Sequence, residues 1–307
     1  MRLDESFHSL LQLEDWDRFS VVECEEIARE LWKVLPAPFR FHKVETCSLG
    51  KQQHHVAIFE WTGYPEGHHH GFFSLIPGDE ATLGYDREHP FVPVEHQQAS
   101  WEEETERTGM FGGTLASFLD QMMTPLRRVV MEPFLLEVLP TPLDQPPVFV
   151  QVPGSKKGMW KGYFTPISYE KTLLDISRLG FRYPTSDEWE YACAAGTRTL
   201  FRWGEMTPRL SMPALDGAQA GEWDLHLRQN AFGLFIARDP YRWEFCAERG
   251  VLRGGDGGTA LSSGFGTFAE WLTLASAFQA LPHPESSHAH IHLRRAYSLE
   301  LPETSEQ

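Results

Sequence analysis

Residues 181–192 read Phe181-Arg182-Tyr183-Pro184-Thr185-Ser186-Asp187-Glu188-Trp189-Glu190-Tyr191-Ala192 and carry more structural information than any other stretch of the chain. Pro184 biases Tyr183 toward extended backbone, so a strand or loop ends there. Thr185 then caps a helix, with Glu188 three residues on reaching back to the Thr185 amide as a capping box. Trp189, Ala192 and Cys193 recur at helical spacing and predict a buried face. Gly196 supplies the stop.

Five further segments follow or flank this stretch in a fixed order. They are Phe201-Arg202-Trp203-Gly204-Glu205, Asn230-Ala231-Phe232-Gly233-Leu234-Phe235, Arg242-Trp243-Glu244-Phe245-Cys246, Val251-Leu252-Arg253-Gly254-Gly255 and His292-Leu293-Arg294. With residues 181–192 they resemble the "R-L-P-T-E-A-E-W-E-Y-A", "Y-P-W-G-D", "N-x-x-G-L-Y-D", "V-W-E-W-C", "V-L-R-G-G-S" and "G-F-R" segments of the formylglycine-generating enzyme, or sulfatase-modifying factor, family. Phe72-Phe73-Ser74-Leu75-Ile76-Pro77-Gly78 is similar to its opening "F-x-x-I-P-G-G" strand. The resemblance covers residues 70–300 loosely and 165–256 well. It implies an α+β fold: the compact, loop-rich sulfatase-modifying-factor fold related to C-type lectins. The 25 glycines and 21 prolines suit such a chain. The expected organisation is a small N-terminal α/β extension over 1–65, the family-like domain over 66–300 and a tail over 301–307.

In that family, two cysteines after the "R-G-G-S" strand hold copper(I), because soft thiolates favour that ion. The copper activates oxygen to oxidise a substrate cysteine. Here the chain continues Asp256-Gly257-Gly258-Thr259-Ala260-Leu261, and no cysteine follows Cys246. Copper-dependent formylglycine formation is therefore not expected. Cys193 and Cys246 read as small buried hydrophobes. The sequence leaves open a disulfide among the four cysteines. The related sulfoxide synthases of ergothioneine-type pathways take iron on three histidines supplied largely by a fused helical domain, and nothing in the N-terminal region matches it.

Ser287-His288-Ala289-His290-Ile291-His292-Leu293 alternates strictly. In a strand, His288, His290 and His292 would share one face. Two of them plus a carboxylate, with Glu285 near in sequence and Asp256 a spatial candidate, would suit iron or zinc. The plainer reading is polar filler on an exposed strand. His68-His69-His70 follows Gly67 and is expected in a loop. The resemblance also implies a structural calcium held by Glu244 with Asn230. Asp239-Pro240-Tyr241-Arg242 stands where the family has Gly-Asn, and an ion pair of Glu244 with Arg242 or Arg253 is the alternative. The residues before Ala275 form an apolar insertion beside the family's substrate groove. Trp271, Phe268, Arg253 and Trp243 are the candidate groove residues, although Trp243 also reads as a core anchor.

The 307 residues can bury a large core. A net charge of −16 argues against nucleic-acid or anionic-membrane partners, which need a cationic surface. No apolar stretch resembles a signal peptide or a membrane span, so a cytoplasmic location is expected. The expected function is binding of a peptide, protein or small-molecule ligand in the family groove, without formylglycine-generating activity. The alternative is a non-haem iron oxygenase or related metalloenzyme using His290 and His292 plus a carboxylate. Calcium, iron and zinc are the cofactors considered.

Overall fold

The capping box that opened the sequence reading is present. Thr185 Oγ1 accepts from the Glu188 amide (3.1 Å), and Glu188 Oε2 accepts from the Thr185 amide (2.7 Å). The helix it starts ends on Ala195 in the left-handed region (φ 46°), one residue before Gly196.

The computed structural model describes residues 5–63, 71–109, 113–143, 148–151, 160–163, 166–208, 223–257, 268–280 and 290–299. The chain begins with α1 (Glu5–Leu10), α2 (Leu13–Trp16) and α3 (Val21–Trp32), then β1 (Phe39–Leu49), β2 (Gln52–Trp61), β3 (Gly71–Ile76) and β4 (Asp79–Leu83). Helices α4 (Glu95–Thr108) and α5 (Leu115–Met122) precede β5 (Arg127–Met131), β6 (Phe134–Glu137), β7 (Thr141–Pro142), β8 (Val148–Gln151) and β9 (Trp160–Tyr163). Next come α6 (Tyr169–Ser177), α7 (Ser186–Ala194), a 3-10 turn at Leu225–Leu227, β10 (Trp243–Phe245) and β11 (Leu252–Arg253). The last elements are α8 (Phe268–Leu272), β12 (Ile291–Leu293) and β13 (Ala296–Ser298).

A five-stranded sheet has the order β1-β2-β3-β6-β13, and a four-stranded sheet the order β11-β10-β12-β7. The pairs β4-β5 and β8-β9 form two smaller sheets. The molecule is thus mixed helix and sheet, as α+β implies. The β1–β2 hairpin, assigned to the N-terminal extension, belongs to the same sheet as β3, with Trp61 opposite Gly71.

Phe181 fastens the opening stretch to that sheet. Its ring stacks on Phe73 (5.0 Å between centroids) and meets the Trp61 edge at 4.7 Å. The Arg295 guanidinium lies over both Phe73 and Phe181, at 5.3 and 5.1 Å, a cation–π arrangement. Arg182 extends the attachment by exchanging backbone hydrogen bonds with Ala296.

Three expectations need correction. Residues Arg128 to Val138 read from the sequence as one strand, but the segment holds two, β5 and β6, in different sheets. Pro133 lies between them and has no amide to continue a ladder. The acidic run from Trp101 to Arg107 reads from the sequence as a solvated helix or loop; it is helical, within α4, but not wholly solvated, since Trp101 and Glu104 are buried and Arg107 is paired to Glu104 at 2.6 Å. Of the alternating histidine segment only residues from His290 onward are described, and among these the strand begins at Ile291. His290 sits before it at φ 62°, outside the extended conformation that a shared face requires.

Candidate functional site

Strand β10 runs parallel to β12, with Glu244 opposite His292, and antiparallel to β11. The loop leading into β10 carries Arg238, Asp239 and Arg242. Leu139 and Pro140, just before β7, face this loop across a cavity of about 140 Å3, with Phe235, Ala237, Glu244, Gly254 and His292 completing its wall. Gly254 is required at this position. It sits at φ 88°, and a Cβ there would press on the Trp189 ring at 3.2 Å.

Most charge around the cavity is internally matched. Glu244 accepts from Arg294 Nε (2.6 Å) and Nη2 (2.8 Å), and Trp189 Nε1 donates to the same carboxylate (2.8 Å). Arg294 also donates to the carbonyls of Glu137 and Phe235, at 2.5 and 2.8 Å. Asp239 accepts the Tyr241 amide (2.9 Å) and lies 3.4 Å from Arg242 Nε. Arg238 is different. Among the described residues no carboxylate pairs with it, its Nε is buried without a hydrogen-bond partner, and its guanidinium lies 4.9 Å from the Phe235 ring centre. A buried polar group left unmatched costs about 1–3 kcal/mol, so such a group calls for an explanation.

Burial pushes His292 down to about 4, with Glu244 opposing the shift, so its imidazole is neutral near pH 7. His290 is also shifted down, by burial and then by Arg242, whose Nη1 lies 3.5 Å from its Nδ1. Burial raises Asp239 and lowers Arg238 and Arg242. Each shift reflects a charge withdrawn from water, the environment in which a ligand's opposite charge counts most.

The sequence-derived candidates fare unequally. His288 lies outside the described residues, as do Glu285 and the His68–His70 run. His290 and His292 both flank β10, but among the described residues no group of three or more His, Cys, Asp and Glu side chains is arranged to hold a metal. Glu244 has both oxygens committed to Arg294 and Trp189, and its guanidinium partner is neither Arg242 nor Arg253. Asn230 is equally committed. Its Nδ2 donates to the Ala192 and Cys193 carbonyls, and its Oδ1 accepts from the Phe232 and Leu234 amides. Calcium requires several oxygen ligands, and these two residues have none to spare, so the set does not fit the ion.

The four groove candidates are core residues rather than groove walls: Trp271 and Trp243 are 1% exposed, Phe268 3% and Arg253 0%. Arg253 instead donates to Glu190 (2.9 Å) and to the Phe278 carbonyl (3.0 Å). Glu190 gathers Arg127, Thr124 and the Gly84 amide as well, which ties α7 to the β4–β5 pair. The cysteines do not fit copper either. All four are buried, and burial pushes the Cys193 thiol up to about 11 and Cys246 higher still.

Other concavities include two lined by described residues. One of about 100 Å3 beside Gly84 has Ser276 and Glu205 on its wall; the other, about 550 Å3, lies between α4 and α5 over Trp101. The first is also lined by an arginine, Arg198, but its guanidinium donates to the Thr82 and Gly84 carbonyls (2.7 and 2.9 Å); among the described residues the second has no arginine on its wall. Arg238 escaped the sequence reading because one loop arginine has no spacing signature. Its only signal was a segment with arginine on either side of Asp239-Pro240-Tyr241, which departs from the Gly-Asn of the family the motifs resemble. No helix among the described residues is long and apolar enough to cross a membrane. No protein-family model matches the sequence, and a search of the curated proteins finds no match either.

Proposed function

We propose that this chain is a binding protein built on the scaffold its motifs resemble, that of the formylglycine-generating enzymes, and that it lacks their copper chemistry. Its ligand is a small molecule or the end of a peptide, taken into the cavity between β10, β12 and the 235–242 loop. One observation carries the proposal. The side chains lining this cavity include a guanidinium, Arg238, with no ion-pair partner among the described residues, beside a neutral imidazole, His292, set in an otherwise matched framework. Binding pockets are largely apolar concavities with a few placed polar groups, and this one has that make-up. A volume of about 140 Å3 equals roughly four to five waters of bulk volume, which suits a small group and not a folded surface.

The test uses untagged full-length protein in two assays. A thermal-shift screen against small acids, amines, sugars and short peptides is expected to find stabilising ligands whose effect is lost in Leu139→Asp, which places a charge at the cavity mouth. Incubation with copper(I), dioxygen and a cysteine-containing peptide is expected to leave the cysteine intact. Aldehyde formation would overturn the proposal, as would stoichiometric iron or zinc in the purified protein or a screen with no ligand sensitive to the cavity variant.

A further inference from the structure

We infer that the cavity beside β10 and β12 recognises a monocarboxylate bearing a small apolar group. The carboxylate is seated on Arg238 within the reach of His292, and the apolar part lies against Leu139, Pro140 and Phe235. The assignment rests on the binding reading above and names its ligand class.

Charge matching narrows the chemistry. The charged groups lining the cavity are Arg238, Asp239, Arg242 and Glu244, with Arg294 behind Glu244. Glu244 is held by Arg294, and Asp239 lies 3.4 Å from Arg242 Nε while its charge also favours Arg238, so among these described groups three guanidinium charges meet two carboxylates, and Arg238 is the one of the three with no ion pair to a described residue. One uncompensated guanidinium calls for one negative charge. A phosphate dianion would bring a second charge toward Asp239 and Glu244 with nothing to meet it. A cationic ligand would face Arg238 directly.

Geometry agrees with charge. A guanidinium presents parallel N–H donors that fit the two oxygens of a carboxylate. Arg238 is held in place by stacking on Phe235, so little freedom is lost when it binds. His292, neutral and with no side-chain hydrogen bond to a described residue, offers one N–H donor on the same wall. Leu139 is 53% exposed and lines the cavity together with Pro140, Phe235 and Ala237. A ligand with an apolar substituent would cover it.

The experiment is isothermal titration of the full chain with benzoate and 3-methylbutanoate, alongside benzamide, benzylamine and inorganic phosphate. The two carboxylates are expected to bind saturably and the other probes at least about tenfold more weakly, the scale of one lost charge-assisted contact. Arg238→Gln should weaken benzoate about tenfold or more while the circular-dichroism spectrum is unchanged, and Arg238→Lys should fall between. Benzoate binding equally to wild type and Arg238→Gln would overturn the assignment, as would phosphate binding more tightly than benzoate or a failure of both carboxylates to bind. Benzamide or benzylamine binding in their place, and lost in Leu139→Asp, would remove the carboxylate and leave the binding reading standing.

Discussion

Glu244 and Arg238 line one cavity and stand in opposite conditions. Glu244 has both oxygens filled, by a two-pronged contact from Arg294 and by the Trp189 indole. Arg238 has a buried Nε with no partner and no carboxylate among the described residues. The same contrast separates Glu190, which takes Arg253, Arg127, Thr124 and the Gly84 amide, from His226, whose buried Nδ1 has none. Filled networks join elements distant in sequence and so hold the fold. Unfilled groups at a cavity stabilise nothing where they are, which makes the cavity the place to look for a ligand.

Breaking a filled network should have the largest effect. Glu244→Gln leaves Arg294, 0% exposed, without its counter-charge, and should cost about 3–5 kcal/mol in urea unfolding. Arg294→Met should be nearly as costly because it strands Glu244. Acid should act through the poorly partnered histidines. His226 is 1% exposed and pushed down to about 4 by burial and then by Arg202, and His292 is lowered to a similar value. Their folded values lie below the ordinary imidazole value near 6.5, so the unfolded chain takes up protons first as pH falls. Their stabilising contribution is present above about pH 6.5 and lost as pH falls toward 4, on the order of 2 kcal/mol for His226. Unfolding curves collected from pH 7 to pH 4 check this, and His226→Gln should flatten the pH dependence. Removing the cap of α7 with Thr185→Ala should cost about 1 kcal/mol in the same assay. Arg238→Gln should be smallest, within about 0.5 kcal/mol of wild type, since the side chain has no ion pair to lose.

What the sequence disclosed depended on the range of the interaction. The start of α7 was legible because Thr185 and Glu188 meet within one turn, whatever the rest of the chain does. The start of α3 follows the same local pattern, Ser20 with Glu23 three residues on, and that capping box is formed. The partner of Glu244 was not. Sequence offered Arg242 and Arg253 as near neighbours, but the parallel register of β10 and β12 brings up Arg294, fifty positions away. The apolar residues Phe268 and Trp271 fitted a groove wall and a core equally well, because composition does not say which side water is on; they are core. The strict alternation of residues 287–293 suggested one histidine face. The left-handed backbone at His290 breaks the alternation that the letters imply. Arg238, the residue on which the functional reading turns, became visible only when its neighbours could be counted.

The most direct test of this division is the urea midpoint of Arg238→Gln measured beside wild type and Glu244→Gln at pH 7. The account predicts that Arg238→Gln unfolds at the wild-type midpoint with the same slope, while Glu244→Gln unfolds at a clearly lower one. A midpoint for Arg238→Gln as low as that of Glu244→Gln would contradict it, because Arg238 would then belong to the framework.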